Sequence, residues 1–524
     1  MVYDAIIVGG GAAGLTTAAY LCKGGFSTLL LEQQQYCGGL VNSFTRDGFT
    51  FDGGVRALDN AGALFPMLKQ LGINLNFIEN KITLGIEDHI MHVESDDPFQ
   101  PYQDMLEDLY PESKGEISQI IEELKLITHY MDIQYGIDNP LFLDIKQDRE
   151  YFMRKVFPWM FKYLITVPKV SKKNVPVVPY LEQFTQNRAL LDIITQHFFA
   201  DTPAFFALSY FKLYQEYFYP EGGTGTFSQK LVEFIQNNNG EIRTGQTVVS
   251  VDLENKTVMT ADDHVYAYRQ LCWAADQKTL YQMVSPEGLN DPETAGIVRE
   301  TRTKLDPLAG NDSVLTLYLS TSLPPEYFSK ISAGHFFYTP SRKGQSIAGP
   351  IPREGTWEEI QEWLTQFFAL TTYEISIPVL RDRSLAPEGK TGLIISALFD
   401  YTLTKHVYDQ GWKEQFQEIV GGLMLKTLED SVYPGLQASV IDQFMATPVT
   451  IQKMTGNTDG AITGWSFTNP IMPAESRLVK IASAAKTPLP DVSQAGQWTY
   501  SPSGFPVALI TGKLASDRMI KQLK

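Results

Sequence analysis

The sequence predicts an α/β protein: a discontinuous Rossmann-type nucleotide-binding domain joined to a mixed-sheet substrate domain and a helical insert. Three observations predict it. A Gly9-Gly10-Gly11-Ala12-Ala13-Gly14 turn sits between an apolar run and a run of small residues, residues 86 to 215 carry helical periodicity, and strand-and-helix patterning returns in the middle and at the end of the chain. A chain of 524 residues exceeds what one hydrophobic core supports, so several packed lobes are expected.

Tyr3 to Val8 reads as a buried parallel strand, Ala12 to Lys23 as a helix stopped by Gly24-Gly25, and Ser27 to Leu31 as the next strand. A helix around Ala61 to Leu71 follows, and the first nucleotide-binding part is bounded at 1 to 85. In the insert (86 to 215), Ile117, Ile120, Ile121, Leu124 and Ile127 fall on one helical face. The second part (216 to 285) holds a helix at Phe227 to Asn237, strands at Val248 to Leu253 and Thr257 to Thr260, and an apolar strand at Gln270 to Ala274. Residues 286 to 470 mix strands (Ser313 to Leu319, Leu393 to Ala397) with helices (Thr356 to Leu370, Gly411 to Leu428). The third part, 471 to 524, ends in a helix starting near Phe505 or Pro506.

The net charge of −17 argues against nucleic-acid binding, which needs a surplus of Lys and Arg. Cys22, Cys37 and Cys272 lack disulfide or metal-ligand spacing, and the seven histidines are scattered, so no metal site is expected. Met1-Val2-Tyr3-Asp4 lacks the basic region of a signal peptide, and no apolar stretch is long enough to span a bilayer. A cytoplasmic protein is expected, with any membrane contact peripheral and on the inner face.

Each glycine of the first turn has a physical role. Gly9 permits the tight turn, Gly11 lets a diphosphate approach the backbone, and Gly14 allows helix and strand to pack closely. Ala12 and Ala13 open the helix whose N-terminus receives the diphosphate. Glu32 stands 18 residues beyond Gly14, where a carboxylate can accept hydrogen bonds from both ribose hydroxyls. Gln33 beside it, and Ala275 after the apolar strand, join the cofactor-contact set.

Two further glycine pairs, Gly38-Gly39 and Gly53-Gly54, are not required by an NAD fold. With them, LLLEQQQYCGGLVNSFTRDGFTFDGG (29 to 54) resembles the phytoene desaturase, carotenoid isomerase and retinol saturase family of flavoproteins, within the amine-oxidase-like group. The resemblance extends to YPEGGTGTFSQKLVEFIQNNNGEI (219 to 242), SLAPEGKTGL (384 to 393), TPVTIQKMTGNTDGAITG (447 to 464) and AGQWTYSPSGFPVALITGKLASDRMI (495 to 520). It implies FAD as cofactor. Gly39 and Leu40 would line its diphosphate, Gly54 and Val55 would lie against the isoalloxazine, and Val248 or Val249 would contact adenine. Gly496 would meet the diphosphate again, and Gly504-Phe505-Pro506 would start a helix facing the flavin pyrimidine ring. Leu40 stands where many relatives carry Arg, so diphosphate binding leans on backbone N–H groups.

The resemblance implies hydride exchange with a carbon of an apolar lipid such as a carotenoid or other polyisoprenoid, by a desaturase, saturase or double-bond isomerase. Two other readings share the cofactor: an amine-oxidase-type enzyme and a non-catalytic flavin-bearing lipid carrier. Arg56, two residues past Gly54, is the candidate catalytic side chain, able to hold a polar substrate end or stabilise a reduced flavin. Ten aromatics crowd 198 to 219, and Phe206, Tyr210 and Tyr214 at helical spacing are candidates for a substrate tunnel. Within 153 to 178, MRKVFPWMFKYLITVPKVSKK (153 to 173) interleaves basic and aromatic residues without an acid, a composition suited to an anionic bilayer surface.

Overall fold

The computed structural model describes residues 2–93 and 97–524. Its first sheet is built from three distant stretches of chain. Val2–Val8 lies in parallel between Thr28–Leu31 and Val265–Trp273, with Glu241–Arg243 beyond Thr28–Leu31. Val492–Gln494 pairs in parallel with the end of Val265–Trp273, and the antiparallel strands Thr257–Thr260 and Val248–Asp252 extend the other half of it. Parallel strands covered on both faces must be apolar throughout. Ala5, Ile6, Ile7, Leu29 and Leu30 are accordingly inaccessible to solvent.

One face is covered by three helices, Ala12–Lys23, Gly225–Asn237 and Phe505–Leu523. Small residues let the first and last of these approach closely: a Cβ on Gly512 would lie 2.6 Å from the Ala13 carbonyl oxygen, and the Thr17 hydroxyl donates to the Gly512 carbonyl at 3.1 Å. The other face packs against Tyr281, Val298, Leu305, Trp465 and Trp498.

The second sheet runs Val440–Ala446, Ser313–Thr321, Thr391–Phe399, Tyr373–Ser376, His335–Thr339, Ile82–Ile86 and His89–Val93, antiparallel except for the pair His335–Thr339 with Ile82–Ile86. Period-2 alternation gives it two different faces. Leu315, Leu317, Ile375 and Ile395 point into a core shared with the helices Trp357–Leu370 and Lys413–Asp430, whereas Thr316, Ser396 and Glu374 face the nucleotide-binding lobe across a cavity.

Several expected boundaries are corrected. Ile82–Ile86 and His89–Val93 are second-sheet strands, so 85/86 is not a break between the first nucleotide-binding part and a helical insert; their partner strand lies some 250 residues away, beyond any local signal. At the two ends of 286 to 470, Val298, Leu305, Ala461 and Trp465 pack in the core of the nucleotide-binding lobe. The aromatic run is not one helix: Ala204–Ala207 and Tyr210–Tyr214 are short helices, and Tyr217–Pro220 is a strand between Leu58–Asp59 and Phe77–Glu79. Bulky aromatics satisfy strand and helix equally, and the break at Leu208-Ser209 ends the helical spacing. Among the described residues no helix is long and apolar enough to cross a membrane.

Candidate functional site

A cavity of about 1030 Å³ runs along the carboxyl ends of the parallel strands and on to the inner face of the second sheet. It lies at the upper end of small-molecule site volumes, roughly 300–1,000 Å³. At its start, Gly9 has a φ of +106°, and a Cβ there would sit 2.7 Å from the Ala274 carbonyl oxygen. Gly14 does not line the cavity; a Cβ on it would lie 1.9 Å from the Gly9 carbonyl oxygen, so its absent side chain is what lets helix and strand meet. Gly11 differs from both. Its backbone is extended (φ −73°, ψ 178°), and a Cβ would meet nothing within 4 Å. Neither backbone nor packing requires glycine there, so the vacant cradle is space kept for a ligand.

Gly11 caps Ala12–Lys23, and Gly504 caps Phe505–Leu523, and neither helix has a side-chain cap at its N-terminus. Uncapped first-turn N–H groups with the dipole behind them attract anions. Both starts, Gly11 to Ala13 and Gly504 to Ala508, line the cavity. The Glu32 carboxylate is held by N–H donors from Gly10 at 2.6 Å and Gln34 at 2.7 Å. Burial raises the pKa of this carboxyl, with the Gln34, Gly10 and Gln33 amides acting in the opposite direction.

The predicted cofactor contacts converge. Gly9, Gly11, Ala12, Ala13, Glu32, Gln33, Gly39, Leu40, Gly54, Val55, Val248, Ala275, Gly496, Gly504, Phe505 and Pro506 all line this one cavity. Val249 does not: it is 42% exposed, because a register irregularity between Val248 and Ser250 turns Val248 inward and leaves its neighbour in solvent. The Leu40 carbonyl accepts the Val55 N–H at 2.8 Å, which locks the two glycine-pair loops together. These residues fit FAD, with a buried carboxylate at the ribose position, a side-chain-free cradle for the diphosphate, and a second uncapped helix start farther along.

Beyond Gly54 the wall changes character. Arg56 is buried and spans the two lobes, donating through Nη1 to the Asp52 carbonyl at 2.6 Å and through Nη2 to Ser396 Oγ at 2.9 Å. Both terminal nitrogens are therefore engaged by the protein. Ser396 shares one rung of the second sheet with Glu374 and Thr316, and Ser396 Oγ lies 2.9 Å from Thr316 Oγ1. Phe206 and Tyr210 wall the cavity, but Tyr214 does not. Its ring packs at 5.3 Å from Phe337 beside a separate small cavity of about 50 Å³.

Three cavity residues escaped the sequence reading: Asp59, His335 and Glu374. Each sits in a short strand with no motif around it. The Asp59 carboxyl is pushed from 3.8 up to about 8, first by burial and then by the charge of Glu216. The folded protein thus keeps a proton that the unfolded chain releases, so this group's contribution to stability is present below about pH 4 and is lost as pH rises towards about 8. Asp59→Asn keeps the shape and removes the titration. It is expected to flatten the melting temperature between about pH 5 and about pH 8, and an unaltered gradient in the variant would contradict the assignment.

Residues 7–71 match the model of the NAD(P)-binding Rossmann-like domain. Over 487 residues the chain is 24% identical to prolycopene isomerase of Daucus carota, covering 87% of this chain and 71% of that protein. It is 21% identical to all-trans-retinol 13,14-reductase of Rattus norvegicus, over 99% and 86% of the two chains, and 19% identical to 4,4'-diapophytoene desaturase of Staphylococcus aureus, over 99% of each. Among solved structures, cyclohexylamine oxidase from Brevibacterium oxydans superposes with a TM-score of 0.60 at 12% identity over the whole of both chains, a likeness of fold.

Proposed function

We infer that this chain, which belongs to the phytoene desaturase, carotenoid isomerase and retinol saturase group of flavoproteins, is an FAD-dependent oxidoreductase acting on C–C or C=C bonds of an apolar polyisoprenoid. One observation carries the substrate class. The nucleotide cradle and an aliphatic and aromatic compartment walled by Met131, Val167, Val170, Phe205, Phe206 and Tyr210 are one continuous space. When bound, FAD supplies the two-electron chemistry, taking or giving a hydride. The chain's residues hold the cofactor, exclude water from the carbon pair and orient it. Lipid extraction of the purified yellow protein, followed by anaerobic mixing with prolycopene, all-trans-retinol or 4,4'-diapophytoene, tests this reading. A co-purifying polyene, or a change in flavin absorbance on mixing, is expected; a flavin that exchanges electrons with none of these probes would contradict it.

The same cavity suggests a route for a lipid. In the helix Phe157–Ser171, Phe157, Phe161, Leu164 and Ile165 are each more than half exposed, while Val167, Val170 and Ser171 line the cavity. Lys162, Lys169 and Lys172 are exposed beside the apolar residues; Lys173 is committed to Glu123 and Tyr180 and does not add to the basic surface. This is the profile of a helix lying in a bilayer interface, with the tunnel behind it. The double variant Phe161→Ser with Leu164→Ser is expected to weaken flotation with anionic vesicles at least about ten-fold, since each buried apolar side chain contributes about 1.5–3 kcal/mol. Equal flotation of variant and wild type would remove this helix from the contact.

A further inference from the structure

Opening or forming a carbon–carbon double bond moves a proton as well as a hydride, and the polar floor of the cavity has a group arranged for the proton. Four side chains from separate segments form a directed chain of hydrogen bonds. Arg381 Nη1 donates to Asn80 Oδ1 at 2.8 Å, and the same nitrogen donates to the Arg56 carbonyl at 2.8 Å. The Arg381 guanidinium carbon lies over the Tyr219 ring, 3.8 Å from its centre, a cation–π contact that helps hold it in place. With its oxygen so engaged, Asn80 can offer only its amide N–H to His335, whose Nδ1 lies 3.0 Å from Asn80 Nδ2. Nδ1 is therefore the acceptor nitrogen, and the ring proton sits on Nε2, which donates to Glu374 Oε1 at 2.9 Å.

The chain ends at a carboxylate that lines the cavity, next to Ser396 on the same rung of the sheet. His335 itself is buried with both ring nitrogens engaged, and the two terminal nitrogens of Arg56 are held by the Asp52 carbonyl and by Ser396. Burial keeps the His335 imidazole neutral in the neutral range, against the opposing pull of Glu374. Burial alone would raise the Glu374 carboxyl, but the group is held below its ordinary value, with the His335 hydrogen bond and the nearby charges of Arg56 and Arg381 acting against burial. Asp59, in contrast, retains its proton near neutrality, and burial pushes the Tyr210 and Tyr217 phenols far up. Two carboxyls in one cavity with opposite protonation is how acid and base roles separate.

We propose that Glu374 is the group that accepts the substrate proton in the oxidative direction and returns it in the reductive one, with His335, Asn80 and Arg381 as positioning residues. This rests on the oxidoreductase reading above. On oxidation, one C–H bond breaks with its electron pair leaving as hydride to the two-electron acceptor, a flavin. The neighbouring C–H bond breaks with its pair becoming the π bond, and its proton passes to the Glu374 carboxylate. The carbon pair is oxidised and the flavin reduced by two electrons; reduction of a double bond is the reverse.

The test uses the flavin-loaded full chain. Glu374→Gln should lower the single-turnover rate with whichever of prolycopene, all-trans-retinol or 4,4'-diapophytoene reacts by about 10²–10⁴-fold, leaving flavin content and probe binding unchanged. With a probe that is oxidised it should also abolish the rise of rate with pH, with a probe that is reduced the fall of rate with pH, and Glu374→Asp should recover part of the rate. A Glu374→Gln rate equal to wild type across the pH range overturns the proposal. Nitrogen NMR of histidine-labelled protein, with His335 assigned through His335→Asn, reads the chain without any substrate. A neutral ring protonated on Nε2 is expected, changing to mixed tautomers in Asn80→Leu; an imidazolium or an Nδ1-protonated ring overturns it. If wild-type flavin reacts with none of the three probes, the substrate reading falls, and the NMR result still decides the proton chain.

Discussion

Gly11→Val is expected to yield a folded protein that no longer retains flavin. The backbone at Gly11 is extended, a conformation valine favours, and a Cβ there meets no protein atom within 4 Å, so the fold has no reason to resist the substitution. The isopropyl group instead occupies the space against the uncapped first turn of Ala12–Lys23, where a diphosphate must lie to reach the N–H groups. Losing that approach is expected to weaken FAD binding about a thousand-fold, or ~4 kcal/mol. Circular dichroism and visible absorbance after reconstitution check the two halves separately. Gly14→Ala supplies the contrast. Its methyl would collide with the Gly9 carbonyl oxygen at 1.9 Å, so this variant should lose stability first and cofactor as a consequence. Wild-type flavin content in Gly11→Val would show that the cradle is not where the cofactor lies.

Asp52→Ala is expected to destabilise the protein by about 3–5 kcal/mol, the range for breaking a buried charged network from one side. The Asp52 carboxyl is inaccessible to solvent and accepts from the Ser43 hydroxyl at 2.8 Å, the Tyr219 hydroxyl at 2.8 Å, and the Thr224 N–H and hydroxyl at 2.9 Å each. It thereby ties the hairpin Ser43–Arg46 and Phe49–Asp52 to the strand Tyr217–Pro220 and to the start of Gly225–Asn237. Alanine leaves the buried Tyr219 hydroxyl and Thr224 N–H without an acceptor, each costing about 1–3 kcal/mol before relaxation, and the half-buried Ser43 hydroxyl loses its partner, while the Thr224 hydroxyl can turn to the Asn42 carbonyl at 3.3 Å. Because Gly53 and Gly54 follow directly, flavin affinity should fall with stability. Guanidinium denaturation of the two proteins reads the effect, and a midpoint within error of wild type would contradict it.

The nucleotide half of the site was legible because its constraints are local. A glycine that permits a turn, one that leaves room and one that allows close packing recur within six residues, and Glu32 follows at the end of the next strand. The C-terminal helix was legible for a related reason: Gly504 and Pro506 mark a helix start whatever surrounds it. Glu374 was not legible. In the strand Tyr373–Ser376 it alternates with buried Tyr373 and Ile375, which in sequence reads as an ordinary solvent face. That face is turned towards the nucleotide-binding lobe, and only the long-range assembly of the two sheets makes it a cavity wall. His335 and Asn80 are hidden for the same reason, since their partnership joins a strand to a linking residue 255 positions away. Val249 and Tyr214 failed on geometry finer than periodicity: a one-residue irregularity in a strand pair, and an aromatic run broken into two short helices.

Two uncapped helix starts and a buried carboxylate are arranged to hold one flavin dinucleotide. Titrating the folded apoprotein with FAD, and separately with NAD, measures this directly. Saturable binding of one FAD per chain, abolished in Gly11→Val and far tighter than any binding of NAD, is the expected result. A folded protein that binds neither nucleotide, or that prefers NAD, would contradict it.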